Sequence, residues 1–299
     1  LWIVEFTLVE SWLIMRVAYS VIAGKKMNYK KGTLVCVGPG MVLGAHITER
    51  CKNHIKQADI VFTSCHPVIE KWLATLNSCT YSLQHLYADN KDRRNTYQQM
   101  QAAMLAEVRN NKKVVGAFYG HPGVFAQVPH HSIKQATEEG FEAWMEPGIS
   151  ADACLYADMG IDPGAYGCQQ FEASQFMFYQ RKLDPSAYVI LWQLGHAGDL
   201  SLTPRLTGAP ERQVLVDMLL EYYAPSHQVA IYESPFLPTQ QPRIIWQRLD
   251  ELPKADISLI STLVIPPGRR LIPNDEIVIR LKSIYPASHG KNTNKALGE

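Results

Sequence analysis

Apolar and polar stretches alternate along this chain in short, well-punctuated blocks. From Thr33 it reads TLVCVGPG, an apolar run with β-branched residues that stops at two glycines and predicts a short buried strand. Thr48 then caps a predicted helix whose apolar positions Cys51, Ile55 and Ala58 keep helical spacing, and IVFTSC after Asp59 predicts a second strand. Residues 97–110 (YQQMQAAMLAEVRN) are rich in good helix formers, with Met100, Met104 and Val108 on one face, and VVGAFYG follows as a strand. Residues 130–139 read as a helix, and FEAWMEPG as extended chain up to a turn at Pro147-Gly148. Such alternation implies an α/β fold with a mainly parallel sheet.

Beyond Gly148 the texture changes. ISADACLYADMG predicts a helix ended by Gly160, followed by the strand-like segments CQQFEAS, AYVILWQLG, QVAIYES and ISTLVIPP. One amphipathic helix over 211–222 lies among them. We therefore expect a first α/β domain over 27–147 and a second, strand-richer one over 148–267. A polar tail over 268–299 follows, loose over about its last 15 residues.

Composition narrows the function classes. With 299 residues, 46% hydrophobic and 19% charged, the chain has the apolar material of one large or two modest folded domains. Its 29 basic and 28 acidic residues leave a net charge of +1, so it lacks a global electrostatic footprint for nucleic acid or an anionic membrane. The six cysteines form no CxxC pair and no cysteine-histidine ligand spacing, which predicts no metal site and reduced, mostly buried thiols in a cytoplasmic protein. The apolar stretch over 1–26 carries Glu5, Glu10 and Arg16, lacks a basic n-region, and is expected to be neither a membrane span nor a signal. Met27 precedes the first strand, so residues 1–26 are expected to be an unessential or non-native extension.

Gly38-Pro39-Gly40, directly after a buried strand, lets backbone approach a ligand, since glycine has no Cβ; a structural turn explains a lone GPG equally well. The dinucleotide fingerprint fails, because Leu43 stands where GxGxxG needs its third glycine and Gly44 comes one place late. No Lys-Ser/Thr follows the glycines, so a P-loop is excluded. A glycine loop with no phosphate cradle favours a nucleoside that carries no phosphate.

Three further segments, YGHPGVF from Tyr119, MEPGISA from Met145 and FEASQF from Phe171, stand in order with VGPG, and together they resemble the tetrapyrrole-methylase superfamily. The longer strings GAFYGHPGVF, GFEAWMEPGISADACLYADMGIDP and STLVIPP are similar, more narrowly, to the borosin enzymes that N-methylate peptide backbone amides. The resemblance covers about Lys31 to Leu281. It implies a class III methyltransferase of two α/β domains, homodimeric, with S-adenosyl-L-methionine in the cleft between the domains. Its cofactor loops map onto Gly38, Pro39 and Gly40, onto Tyr119, His121, Val124 and Phe125, onto Ser150 and Ala151, and onto Ala173 and Gln175. Tyrosine and phenylalanine faces suit a cationic sulfonium, although core packing explains Tyr119 and Phe125 as well, and a turn explains His121.

Tyr87, Arg93 and Tyr97 match the family's catalytic tyrosines and arginine. An amide nitrogen is a poor nucleophile because its lone pair is delocalised into the carbonyl. Arg can hold the amide oxygen as negative charge grows there, and Tyr can accept the amide proton if the guanidinium favours phenolate. The competing reading is a solvated charged turn at Asp92, Arg93 and Arg94, with Tyr97 facing a core. KNTNKALGE offers no hydrophobic core peptide, so the chain resembles the split form that methylates a separate precursor peptide, with a heterotetramer as a further possible assembly. Rival activities are C-methylation of a precorrin-like tetrapyrrole, an rRNA or diphthine-type methyltransferase, and a non-catalytic binder of the same fold.

Overall fold

A computed structural model describes residues 29–88, 91–201 and 205–284. The expectations for residues 1–26 and for the last 15 residues fall outside the described part. Two compact units emerge. The first holds the described residues up to Met159 together with Ser201 and the segment over 234–242, and the second takes the other described residues from Gly160. The chain thus leaves the first unit after the helix that follows the Pro147-Gly148 turn.

In the first unit, strands β1 (Lys30–Val37), β2 (Ile60–Ser64), β3 (Thr80–Ser82), β4 (Lys113–Phe118) and β5 (Phe141–Glu146) form one sheet in the order β3-β2-β4-β1-β5. Every pairing in it is parallel. Alternate residues of β1 explain why its apolar run is continuous: Leu34 and Cys36 face one core, Val35 and Val37 the other. Helices α1 (Glu49–Gln57) and α2 (Pro67–Leu76) cover one face through Cys51, Ile55, Ile69 and Leu73. The opposite face is covered by α3 (Arg93–Arg109) and α4 (Gln127–Glu138). Helix α5 (Ala151–Met159) closes the unit.

Helix α1 begins where predicted, with Thr48 Oγ1 accepting from the Cys51 N–H at 3.1 Å. Thr48→Ala is expected to cost about 1 kcal/mol, read as a lower urea midpoint at an unchanged slope. Helix α3 starts four residues before the predicted position, because Asp92 caps it by accepting from the Arg94 N–H at 2.8 Å. Helix α4 likewise begins at Gln127 rather than 130. Helix α2 and strand β3 were not foreseen; the His66 ring caps α2 by accepting from the Val68 N–H, with Pro67 in its first turn.

The second unit carries α6 (Pro163–Tyr166), β6 (Cys168–Glu172), α7 (Ala173–Phe178), β7 (Tyr188–Trp192), α8 (Ala209–Leu219), β8 (Gln228–Glu233), β9 (Arg243–Arg248), β10 (Thr262–Ile265) and α9 (Asp275–Ile284). Its sheet runs β6-β7-β10-β8-β9 and is mixed, parallel only between β6 and β7. One core joins Val189 and Leu191, Val229 and Ile231, Leu263 and Ile265 to Leu215, Val216 and Leu219 of α8. The predicted strand CQQFEAS is half helix: Glu172 ends β6 and its carboxylate accepts from the Gln175 N–H at 2.7 Å, which starts α7. The predicted 211–222 helix is α8, begun earlier because Glu211 accepts from the Gly208 N–H at 3.0 Å. Among the described residues no helix is long and apolar enough to cross a membrane.

Candidate active site

The C-terminal ends of neighbouring parallel strands bring loops together, and the first unit does this with three glycine turns. Gly40 and Gly120, after β1 and β4, form an antiparallel bridge, each donating its N–H to the other's carbonyl at 3.2 and 3.1 Å. A Cβ on Gly38 would collide with the Gly120 carbonyl oxygen, and one on Gly148, after β5, would lie 2.5 Å from that same oxygen and 2.8 Å from the Gly38 Cα. The close neighbour that requires glycine at position 38 is therefore backbone. Gly40 needs its residue type independently, at φ +79°.

Around this knot lie the first unit's predicted cofactor residues. Pro39 is buried with both flanking glycines. Tyr119 is half-buried against Met41, Val42, Cys154 and Ala151, and burial pushes its phenol up to about 12, so the packing reading accounts for its ring. His121 is a turn residue: its Nδ1 accepts from the Gly123 N–H at 2.9 Å. Val124 and Phe125 are exposed, and Phe125 sits at φ +50°, a left-handed conformation that a bulky residue adopts only where its surroundings impose it. The Ser150 hydroxyl donates to Asp152, and Ala151 opens α5. The remaining two, Ala173 and Gln175, belong to the second unit, on α7; Ala173 is in its core and Gln175 is exposed. The segments over 38–41, 119–125 and 147–151 contain no lysine or arginine. A neutral set of backbone donors, small residues and aromatic rings is compatible with a phosphate-free nucleoside bearing a sulfonium.

Tyr87, Arg93 and Tyr97 do come together. Tyr87 follows a short 3-10 turn over Gln84–Leu86 and packs, half-buried, with Tyr97 on the same core cluster. Arg93 opens α3 and Tyr97 lies one turn on, so the two share a helix face. Lys91 Nζ donates to the Leu86 carbonyl at 2.5 Å and Thr96 Oγ1 to the same oxygen at 3.3 Å, which pins the Tyr87 segment to the helix start. Asp92 is committed to the cap and to a fork of hydrogen bonds from Arg94, 2.9 Å from Nε and 2.6 Å from Nη2. The charged cluster is thus not only a solvated turn.

At Tyr87 the Arg93 guanidinium does favour phenolate, as expected, but other effects outweigh it. Burial first, then the Tyr97 charge and a hydrogen bond to Tyr97, push the Tyr87 phenol well above its ordinary value, and Arg93 offsets this only in part. The two phenol hydroxyls therefore lie within hydrogen-bonding reach of each other. The cluster under the two rings also takes in Phe118 and Met145, and Met145 presses on Gly123 of the His121–Phe125 turn, so tyrosine pair and glycine turns share one wall.

The thiols behave as foreseen in being free, with Cys36, Cys51, Cys65 and Cys154 buried; Cys168 is half-buried and Cys79 exposed. Among the described residues, no group of three or more His, Cys, Asp or Glu side chains could hold a metal ion. Sequence reasoning missed the glutamine-rich surface beside Tyr97, where Gln98 and Gln101 on α3 meet Gln127 and His131 on α4. Its only signal is a polar face at spacing i, i+3 on one helix, which looks like ordinary solvated surface.

Comparison with known proteins gives concordant results. The family model described as tetrapyrrole (corrin/porphyrin) methylases matches residues 33–246. A methyltransferase/ribosomally synthesized cyclic peptide gymnopeptides precursor from Gymnopus fusipes is 38% identical over 256 residues, 84% of this chain and 61% of that protein. A methyltransferase/ribosomally synthesized type I borosin cyclic peptide precursor from Coprinopsis marcescibilis is 38% identical, covering 80% of this chain and 63% of that one. The chain therefore spans about three fifths of the length of these two relatives. Among solved structures, the uroporphyrin-III-C-methyltransferase of Thermus thermophilus superposes with a TM-score of 0.56 at 17% identity, over 80% of this chain and 94% of that one, a likeness of fold.

Proposed function

Since this chain belongs to the tetrapyrrole methylase family, we propose that it transfers the methyl group of S-adenosyl-L-methionine to backbone amide nitrogens of a ribosomally made precursor peptide. The observation that carries the reading is the meeting of two phenols and a guanidinium at the start of α3, a set that amide activation calls for and ring-carbon alkylation does not obviously need. Relatives at 38% identity whose names join methyltransferase to cyclic peptide precursor support it.

Gly38, Pro39, Gly40, Tyr119, His121, Val124, Phe125, Ser150 and Ala151, with Ala173 and Gln175, would hold the cofactor, which when bound supplies an electrophilic methyl group. The chain's own residues do the rest. Arg93 binds the amide oxygen and stabilises the charge that builds there as the nitrogen gains nucleophilicity. Tyr97 takes the amide proton. Tyr87, whose phenol burial keeps protonated, lies within hydrogen-bonding reach of Tyr97, so an anion formed on Tyr97 would have a phenol on one side and a cation on the other. The substrate nitrogen must also be held in line with the methyl group, which is positioning and not covalent catalysis. Action on a separate peptide, and a homodimer as the working assembly, are parts of the same proposal.

The test incubates the protein with methyl-labelled S-adenosyl-L-methionine and, in parallel, with short capped apolar peptides and with a reduced tetrapyrrole. Label on a peptide backbone nitrogen, located by fragmentation, is the expected result. Label on the tetrapyrrole and on no peptide overturns the reading, and label confined to the enzyme's own chain overturns action on a separate peptide.

A further inference from the structure

We propose that the polar pocket between the first turns of α3 and α4 is a subsite for a neighbouring peptide bond of the substrate, read through its N–H and C=O and not through its side chains. This rests on the amide-methylation reading above and deepens it.

The pocket encloses about 120 Å³ and has Tyr97 in its wall, so it adjoins the residue assigned the amide proton. Gln98 and Gln101 on α3 and Gln127 and His131 on α4 supply most of its polar lining. A primary amide is the side-chain counterpart of a peptide bond, one carbonyl acceptor beside N–H donors. Gln101 is locked in orientation, since its Nε2 donates to the His131 carbonyl at 3.3 Å and to Gln135 Oε1 at 2.6 Å. Its own Oε1 accepts nothing among the described residues, which leaves a fixed acceptor for a peptide N–H. The side-chain amides of Gln98 and Gln127 make no hydrogen bond among the described residues and are available to a peptide carbonyl.

Charge points the same way. Arg94, also on the rim, is forked onto Asp92. Burial first, then Lys134 and His130, hold His131 below its ordinary range, so it is neutral near pH 7. A pocket with its cation matched and its histidine neutral suits a neutral dipole better than a carboxylate or phosphate. Recognition of backbone alone tolerates many side chains, as an enzyme acting along a peptide requires.

The test is a double-mutant cycle between enzyme and backbone. Capped peptides that the wild-type protein methylates are resynthesised with one ester in place of one peptide bond, moved position by position away from the methylated amide. An ester lacks the N–H and accepts weakly, so at one neighbouring position wild type is expected to lose about three- to tenfold in kcat/KM. In Gln101→Leu that ester penalty disappears while affinity for S-adenosyl-L-methionine stays unchanged. Gln98→Leu, on an exposed position with no packing to lose, is expected to shrink the penalty too and guards against a Gln101→Leu protein that fails to fold. Ester penalties equal in wild type and both variants overturn the subsite and leave the amide-methylation reading standing. Transfer to no peptide at all overturns both.

Discussion

Replacing Tyr97 by Phe is expected to all but stop methyl transfer while leaving the affinity for S-adenosyl-L-methionine unchanged. The lost phenol is the group assigned to the amide proton, and removing a positioned base lowers kcat by about 10²- to 10⁴-fold. The ring itself is retained, so its packing beside Tyr87 on the cluster of Met100, Met104 and Phe118 survives and the fold loses no more than about one hydrogen bond, roughly 1 kcal/mol. Arg93→Ala falls in the same way, by about 10²- to 10³-fold, because the amide oxygen then gains charge with no cation beside it. Tyr87→Phe differs in kind. It removes a hydrogen-bonding neighbour of Tyr97 rather than the group assigned the proton, and a cost of about tenfold in kcat is expected from a single hydrogen bond. The order Tyr97, then Arg93, then Tyr87 in single-turnover rates, beside cofactor affinities that do not move, is the signature. Equal turnover in Tyr97→Phe and wild type would sink the assignment, and a Tyr87→Phe loss as deep as that of Tyr97→Phe would reverse the two phenols' roles.

That ordering could not be had from sequence. Spacing puts Arg93 and Tyr97 one turn apart only if a helix already runs through both, and the stretch Asp92-Arg93-Arg94-Asn95 has no apolar residue to announce one. The start signal is the Asp92 carboxylate, and a capping residue amid charges looks like any polar turn. What was legible is what burial on both sides makes legible: β1, β2 and β4 are apolar runs because each strand has helices over both faces, and α1 carries its cap in Thr48. Strand β9 was not, since its Ile245 and Trp246 are more than a third exposed and the strand lies at a sheet edge with one partner. Helix α9 was not either, for its Ile277, Ile279 and Leu281 are exposed and its flanks read as tail. Strand β6 merges into α7 because Glu172 is both the last strand residue and the helix cap, so no loop separates them. How far the Tyr87 phenol is buried, which pushes it above its ordinary value, is encoded in no local pattern.

At the glycine knot a single added methyl group is expected to disturb both stability and binding. At Gly38 an added Cβ meets the Gly120 carbonyl oxygen, with Pro122 Cδ at 2.9 Å and the Gly148 Cα at 3.0 Å. Two of these three neighbours are backbone, and the Gly120 carbonyl is already engaged by the Gly40 N–H, so relief requires parting the Gly40–Gly120 bridge. Gly38→Ala is therefore expected to destabilise the protein by about 1–3 kcal/mol, the range for forced overpacking. Gly160→Ala is the control. Its Cβ meets nothing within 4 Å, and only its φ of +65° resists the change, so it costs roughly 1–2 kcal/mol of backbone strain with no loop displaced. The two variants then have similar melting temperatures and opposite ligand behaviour: calorimetry is expected to find S-adenosyl-L-methionine affinity reduced at least about tenfold in Gly38→Ala, for a shift worth some 1.4 kcal/mol at the loops, and unchanged in Gly160→Ala. Undiminished affinity in a folded Gly38→Ala would mean that the turns after β1, β4 and β5 touch one another and touch no cofactor, and their assignment as its binding loops would have to be withdrawn.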